Sequence, residues 1–275
     1  LSPAEFRVRG GLTFAGVGAN PRTLWNRDTN NLMPRIGFAM RAGQKSVVRG
    51  GYGMFFGFLG ARRGDVRQFG FSQRTNYIPT RDQIVFDAQL SDPFPNGILS
   101  PPGATLGPMT DAGQAIAFFN SNPATPYSQR WQLSFQQGLP RRFVMEVGYV
   151  GNRGTFVTTE RNINPVPAAY LSTSPMRDQA TIQFLTRNYP NPFADLLPNT
   201  ARSGVLISRA ELLRPYPHFT TITMDTSEGF SWYHSGQARI EKRFSDGYTL
   251  TASYTFSKLM EATSFLNETD AKPYR

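Results

Sequence analysis

The side chains that most often perform catalysis or bind metals are few in this sequence and poorly spaced. The two histidines, His218 and His234, match neither an HxH nor an HxxxH pattern, and no cysteine is present to act as a nucleophile or a thiolate ligand. The stretches GNRG (151–154) and RGGYG (49–53) do not resemble phosphate-binding loops, because neither opens a predicted helix. The sequence therefore predicts no enzyme, no cofactor and no metal site.

Arginine dominates the charged residues. The formal net charge is +10, and the lysines number only four: Lys45, Lys242, Lys258 and Lys272. A strongly basic chain first raises the possibility of a nucleic-acid partner. Here, however, the arginines are scattered singly or in pairs along the chain, so we expect no nucleic-acid partner. Scattered guanidinium groups are better matched to a polar channel wall or to lipid phosphates at a membrane surface.

The elements that position these arginines are alternating segments. In GYTLTASYTFSKL (247–259), apolar and hydroxyl-bearing residues alternate, which places them on opposite faces of an extended strand. The segment 219–226 also alternates, but as a spanning strand it would put the turn SDG on the wrong side, so we predict that it belongs to a loop. Alternation predicts seven strands, at 5–15, 34–41, 46–57, 127–137, 142–151, 230–244 and 247–258.

The connections between these strands are of two kinds. AGQKS (42–46), GLPRR (138–142) and SDG (245–247) are tight turns, whereas 16–33, 57–126 and 152–229 are far longer than the roughly 4–6 residues typical of compact domains. Short turns at one end and long loops at the other are typical of outer-membrane barrels. The sequence thus predicts an all-β fold, a partial antiparallel transmembrane β-barrel with long extracellular loops. Because seven strands cannot close such a barrel, we expect residues 1–275 to be a fragment of one barrel domain.

One row of the predicted strands is polar and rich in Arg, Gln, Ser, Thr and Gly, which favours an enclosed wet lumen over bulk solvent. These residues have two interpretations. They pair with one another or with a plug, which we favour, or they guide an anionic ligand through the pore. The lumen-facing candidates are Arg7, Arg9, Arg35, Arg41, Arg49, Arg130, Glu146, Arg239 and Glu241.

The opposite row is apolar and carries aromatic residues towards both ends, as expected of a strand that crosses roughly 25 Å of lipid. We further expect Lys242 and Arg243, beside a tight turn, to reach the lipid headgroups. The predicted aromatic girdle consists of Tyr127, Trp131, Tyr149, Phe244, Tyr248, Tyr254 and Phe256.

A predicted extracellular segment, GARRGDVRQFGFSQR (60–74), interleaves arginine with phenylalanine. This pairing suits the capture of a carbohydrate, an anionic siderophore or a peptide. Contact with lipopolysaccharide phosphates, or a merely solvated loop, is an equally good interpretation. The candidate ligand contacts are Arg62, Arg63, Arg67, Phe69, Phe71 and Arg74.

Four segments carry a family resemblance: PRIGFAMRAGQKSVVRGGYGMFFG, PYSQRWQLSFQQGLPRRFVMEVGYVGNRGT, LLRPYPHF and YHSGQARIEKRFSDGYTLTASYTFSK. Their order and spacing resemble the barrel region of Oar-like TonB-dependent transporters. These outer-membrane receptors carry a carboxypeptidase-regulatory-like N-terminal domain and are abundant in Acidobacteria. The resemblance implies a 22-stranded barrel with a plugged lumen, located in the outer membrane among lipid and lipopolysaccharide. It also implies import of a ligand, which the sequence does not identify, with energy supplied through TonB.

We expect the plug, the TonB box and the N-terminal domain of such a receptor to lie outside this sequence. Two other classes of protein stay open at this point. One is an Oar-like surface protein for adhesion, surface organisation or protein export. The other is a soluble all-β binding domain such as a propeller, against which the long loops and the lack of a blade-length repeat both count.

Overall fold

A computed structural model of the chain describes residues 9–58, 69–75, 77, 84–86, 88–95, 97–197 and 200–274. These residues form nine strands and two short helices. The strands are β1 (Arg35–Arg41), β2 (Ser46–Phe56), β3 (Ile116–Phe118), β4 (Tyr127–Gly138), β5 (Phe143–Asn162), β6 (Asn188–Pro190), β7 (Leu206–Ser208), β8 (Ile222–Ser245) and β9 (Tyr248–Ala262), and the helices are α1 (Gln179–Thr186) and α2 (Arg209–Leu212).

Seven of the strands form one sheet that is curled into half a barrel. Along the sheet the order is β1, β2, β4, β5, β8, with β9 and the short β3 both paired to β8, while β6 and β7 pair separately. The pairs β1–β2, β2–β4, β4–β5 and β8–β9 are antiparallel. Because antiparallel neighbours keep their side chains in register, each face of this sheet carries one of the two rows predicted from alternation.

Two tight turns rely on left-handed backbone. In the β8–β9 hairpin, Asp246 and Gly247 have φ of 56° and 83°, the geometry of a two-residue hairpin turn with positive φ at both positions. In the β4–β5 turn, Arg141 and Arg142 have φ of 57° and 60°, where a side chain is disfavoured. The neighbouring strand supports this turn, because the Arg243 N–H donates to the Arg142 carbonyl at 3.2 Å.

The first predicted strand, 5–15, is wrong for the part that the structure describes. Residues 9–15 form no strand, and Leu12 is 8% exposed within a hydrophobic core built from loop residues. A β-carbon at Gly11 would lie 2.3 Å from the Pro108 carbonyl oxygen, so the chain packs here by close backbone approach. Arg9 is exposed on this irregular segment, so its predicted place on a lumen-facing strand is wrong. Arg7 lies outside the described residues.

Strands β5 and β8 are much longer than predicted, at 20 and 24 residues. A transmembrane strand needs only about 9–11 residues. The assignment of 219–226 to a loop is wrong for its second half, because Ile222–Thr226 forms the start of β8. Pairing continues through this extension, where the buried Thr159 and Thr226 hydroxyls lie 2.8 Å apart. The SDG turn (245–247) still joins β8 to β9, because residues 222–226 lengthen β8 at its start and do not form a separate strand.

The chain divides into two compact units. The sheet unit takes its residues from Trp25–Asp65, Phe119–Arg161 and Met224–Arg275, and the loop unit from Leu1–Leu24, Val66–Phe118 and Asn162–Thr223. The loop unit has a hydrophobic core of its own, made of Leu12, Ala112, Ile116, Phe193, Leu197, Ile207, Phe219 and Ile222. The long connections therefore fold into an independent core and are not simply solvated.

A polar network surrounds this core. Asn164 clamps residue 216 from both sides, since its amide nitrogen donates to the Tyr216 carbonyl at 3.0 Å and its amide oxygen accepts from the Tyr216 N–H at 2.9 Å. Glu211 accepts two hydrogen bonds of 3.0 Å from the Arg214 guanidinium and also pairs with Arg202. Arg202, 5% exposed, donates in addition to the Phe219 carbonyl at 2.7 Å. The buried Arg202 and the half-buried Glu211 and Arg214 are thus ion-paired with one another, which limits their desolvation cost.

Glu211 and His218, both affected by the Arg202 charge, have lowered pKa values. Burial alone would raise the pKa of Glu211, but the hydrogen bonds from Arg214 and Arg202 and their positive charges outweigh burial and lower it. Burial lowers the pKa of His218, the neighbouring Arg202 charge lowers it further, and a hydrogen bond with the Gly10 backbone partly offsets both. In both cases the folded chain takes up a proton less readily than the unfolded chain does.

We predict that acid weakens the loop unit. A depressed folded pKa gives stability that is present above the unfolded value and is lost as the pH falls through it. The loss therefore begins below about pH 6.5 through His218 and is joined by Glu211 below about pH 4.5. Hydrogen exchange of the Phe219 and Ile222 amides, corrected for the intrinsic pH effect, should show less protection at pH 5.5 than at pH 7.5. His218→Gln should remove this difference, and equal protection of the wild type at both pH values would contradict the prediction.

We also predict that Arg141→Gly stabilises the β4–β5 turn by about 1 kcal/mol, because glycine adopts positive φ without the penalty of a β-carbon. Urea unfolding of the full-length protein in detergent micelles measures the change. Arg142→Gly is the comparison, because it relieves the same strain but loses the hydrogen bond from Arg142 Nη1 to the Phe244 carbonyl. A turn in which Arg141→Gly lowers the unfolding midpoint would refute this reading of the strain.

Candidate functional site

The polar face of the sheet unit is built from cross-strand rows. Arg35 on β1 lies opposite Gly53 on β2, which lies opposite Arg130 on β4, which in turn lies opposite Asn152 on β5. Neighbouring strands are about 4.8 Å apart, so Arg35 and Arg130 flank the glycine roughly 10 Å from each other. A second row brings Arg41, Val47, Gln136 and Glu146 together in the same way.

Several of these side chains have partners on the same face. Arg49 donates to the Gln136 side chain at 2.6 Å. Arg239 and Glu241 form a 2.9 Å ion pair on β8 with side chains 55% and 39% exposed, an exposed pair worth little in stability. The Arg35 guanidinium lies 4.8 Å from the centre of the Phe55 ring.

The polar face carries more guanidinium groups than carboxylates. Within the described part of the chain, Arg41 and Arg130 have no carboxylate within ion-pair distance, and both are exposed. The register places the predicted residues Arg35, Arg41, Arg49, Arg130 and Glu146 on one face.

Strand β8 belongs to the same arrangement. Gly154 lies on the polar face opposite Ser128, and a β-carbon there would come within 2.5 Å of the Ser231 hydroxyl. Ser231 shares its side of β8 with Arg239 and Glu241 by strand alternation. That this polar face lines a lumen stays a prediction.

The other face of the sheet unit, its apolar face, is exposed. Phe38 is 56% exposed, Leu133 52%, Tyr254 69% and Phe256 72%. A continuous exposed surface of large apolar side chains marks contact with an apolar environment or a partner. The apolar face therefore does not pack into a protein core, as the apolar face of a soluble sheet would.

The predicted aromatic girdle falls mainly on this apolar face. Tyr127, Trp131 and Tyr149 share it by the β4–β5 register. The Tyr149 hydroxyl lies 2.5 Å from Nδ1 of His234, so the side of β8 that carries His234 belongs to the apolar face as well. Through the β8–β9 register, Tyr254 and Phe256 join it, as does Tyr248 by alternation. Phe244 falls in a register shift between Lys242 and Ser245, so the register assigns it to neither face.

Two large rings of the apolar face lie over glycines of the next strand. The Phe38 ring covers Gly50, and the Trp131 ring covers Gly151, so that a β-carbon at either glycine would lie 2.2 Å from a ring atom. Such rings fill the space that glycine leaves in a sheet. Gly50 in RGGYG (49–53) and Gly151 in GNRG (151–154) are therefore sites where a ring packs against the backbone.

The expectation that Lys242 reaches lipid headgroups is wrong. Its side chain is 1% exposed, and its Nζ donates to the Ser245 carbonyl at 2.5 Å and to the Ser245 hydroxyl at 2.7 Å. The ammonium also lies 3.9 Å from the centre of the Tyr248 ring. The cation thus stabilises its own hairpin turn, because the register shift beside it brings the turn oxygens within reach.

Of the predicted ligand contacts in the 60–74 segment, the structure describes Phe69, Phe71 and Arg74. Arg62, Arg63 and Arg67 lie outside the described residues. Phe69 packs against the loop-unit core, so its predicted role as an exposed ligand contact is wrong. Phe71 is 55% exposed and meets the edge of Phe14 at a ring-centre distance of 5.6 Å, and Arg74 is exposed.

The loop unit holds another arginine–aromatic cluster, not predicted from the sequence, formed by Phe184, Arg187, Tyr189 and Arg209. Its members come from two segments that the β6–β7 pairing joins. Three-residue strands leave no alternation long enough to detect, so no local signal marked this cluster.

Over the residues that the structure describes, no three His, Asp or Glu side chains are grouped in a way that would hold a metal ion. Within the same residues, no helix is sufficiently long and apolar to cross a membrane.

Comparison with known proteins agrees with the two-faced sheet. A family model described as "Outer membrane beta barrel domain" matches residues 1–275, and the chain belongs to this family. The protein is therefore an outer-membrane β-barrel protein, in contact with membrane lipid.

Among solved structures, the chain is similar to the outer membrane transporter YddB from Escherichia coli. The identity is 12% and the TM-score 0.34, and the match covers 79% of this chain and 18% of that one. The chain thus spans less than a fifth of the length of that transporter. No curated protein matches the sequence.

We predict that Gly151→Ala lowers the free energy of unfolding by about 1 kcal/mol, because its β-carbon displaces the Trp131 ring from its packed position. Gly236→Ala is the matched control. A β-carbon at Gly236 meets nothing within 4 Å, so this change should be neutral or slightly stabilising. Urea titrations of both variants in detergent micelles provide the comparison, and equal midpoints would rule out the packing role of Gly151.

Proposed function

We propose that the protein is a TonB-dependent outer-membrane receptor that binds an anionic ligand, such as a siderophore, an acidic oligosaccharide or a peptide, and imports it. The observation that carries the proposal is the excess of guanidinium groups on the polar face of a sheet whose other face is apolar and exposed. A positively charged wall attracts anions and raises their local concentration. The four segments that resemble Oar-like TonB-dependent transporters support the energy source.

The residues have distinct roles in this proposal. Arg130 and Arg41 have no carboxylate partner among the described residues, which leaves their donors available to a passing ligand. Arg239 is matched by Glu241 and contributes less. We expect no catalytic step, since the ligand needs only to be held and released.

A second candidate function is an Oar-like surface role in adhesion, surface organisation or protein export. The hydrophobic core of the loop unit favours it, because long connections that fold offer a defined surface for contact with another surface. The two functions differ in one respect. Import requires TonB, whereas surface attachment does not.

Uptake assays separate the two functions. Wild-type cells, cells lacking this gene and cells lacking TonB are incubated with ferric citrate, oligogalacturonate and an acidic peptide, each beside an uncharged counterpart. We expect wild-type cells to deplete one anionic probe that neither mutant depletes. Equal depletion by all three strains, together with loss of surface attachment in the gene deletion alone, would instead support the surface role.

The polar face gives a residue-level prediction. Arg41→Gln combined with Arg130→Gln should lower the uptake of that anionic probe about tenfold, because two charge-assisted contacts are lost. Arg153→Gln is the matched control. Arg153 is an exposed arginine beside Asn152, but it shares the apolar face with Trp131 by register, so its loss should leave uptake unchanged. Equal effects of the two variants would show that the polar face has no special part in transport.

A further inference from the structure

The second arginine–aromatic cluster, formed by Phe184, Arg187, Tyr189 and Arg209, has an unusual arrangement of charge. The Arg209 N–H donates to the Arg187 carbonyl at 2.9 Å, which continues the antiparallel β6–β7 pairing by one residue beyond Asn188 and Ser208. Two arginines are thus held opposite each other across a hairpin. Like charges in that position are destabilising.

Aromatic rings hold the two guanidinium groups in place. The Arg209 guanidinium lies 4.0 Å from the centre of the Phe184 ring and 5.0 Å from that of Tyr189. The Arg187 guanidinium lies 5.5 Å from the same Tyr189 ring, so the two cationic carbons are at most about 10.5 Å apart. Stacking on a ring face orients a guanidinium and leaves its in-plane N–H donors available.

The acids of the neighbouring elements are already engaged. Glu211 on α2 binds Arg202 and Arg214. Asp178 caps α1, where it accepts from the Thr181 N–H at 3.0 Å and the Ser172 hydroxyl at 2.8 Å. Among the described residues, neither Arg187 nor Arg209 has a carboxylate within ion-pair distance.

The position of the cluster makes it accessible. Arg187 and Phe184 are exposed, whereas Arg209 and Tyr189 are half-buried. Ile207, the cross-strand partner of Tyr189, is buried in the loop-unit core. The cluster is therefore accessible and is joined to a folded core through the β6–β7 pairing.

We propose that Arg187 and Arg209 form a binding site for the carboxylate or phosphate groups of a soluble anionic ligand, with Phe184 and Tyr189 as its stacking supports. An anion placed between the two guanidinium groups removes their mutual repulsion and accepts planar pairs of hydrogen bonds from them. The inference rests on the proposed function and adds the loop site that captures the ligand.

Titration calorimetry of the full-length protein in detergent micelles tests the proposal. The probes are oligogalacturonate, inorganic phosphate, neutral maltotriose and lipopolysaccharide micelles. We expect an anionic soluble probe to bind and maltotriose not to bind. Arg187→Gln and Arg209→Gln should each weaken binding by about tenfold or more, since each loses a charge-assisted contact. The combined variant Arg22→Gln, Arg177→Gln removes two exposed loop-unit arginines outside the cluster and should bind like the wild type.

A second set of variants separates ligand binding from a structural role. Arg187→Lys and Arg209→Lys keep the charge but lose the planar donors, so binding should fall while the unfolding midpoint stays near that of the wild type. Variants that lower the midpoint and leave the affinity unchanged would overturn the proposal, as would failure of both soluble anions to bind. Binding of lipopolysaccharide alone would also overturn it, because the site would then hold a membrane phosphate.

The measurement does not involve TonB, so the two proposals fail separately. Intact binding without import in cells would contradict the proposed function alone. Intact import with both arginines replaced would contradict this site and leave the function standing.

Discussion

The structure depends on one constraint, namely that a backbone surrounded by hydrocarbon finds no water to bind. Every N–H and C=O must then be paired with another strand, and every outward side chain must tolerate lipid. The sheet unit meets both demands with long antiparallel strands and an exposed apolar face. The same pairing forces alternate residues to the other face, where arginine, glutamine and hydroxyl groups gather. The chemistry of the protein on its polar face is thus a direct result of the membrane on its apolar face.

Two glycines and a lysine solve local problems within this constraint. Gly50 and Gly151 give space to the rings of Phe38 and Trp131, which cover the backbone where a side chain would not fit. Lys242 turns its charge inwards to the oxygens of its own hairpin and so does not need the aqueous side of the membrane. Charge at the membrane boundary is in this case a structural device, and not every basic residue near a turn is a headgroup anchor.

The sequence predicted the sheet well and the loops poorly, for a physical reason. Strands such as Arg35–Arg41 and Tyr127–Gly138 were predicted correctly, because a sheet whose two faces meet different environments requires residues that alternate with a period of two. The predicted strand at 5–15 alternates just as well, yet Leu12 belongs to a core of loop residues, since a buried irregular segment also places apolar side chains at intervals. The cluster around Arg187 and Arg209 depends on contacts between distant short segments, which no local pattern encodes.

The hydrogen bond from the Ile163 N–H to the Ile222 carbonyl, at 2.8 Å, closes the excursion between β5 and β8 at its base. The chain leaves and re-enters the strands at a single point, yet the core above that point is shared with two other stretches of the chain. Leu12 and Ile116, from outside the excursion, pack with Phe193 and Phe219 from inside it. Replacing residues 162–222 alone would therefore strip Leu12 and Ile116 of their packing partners, so the separate connections are bound to change together.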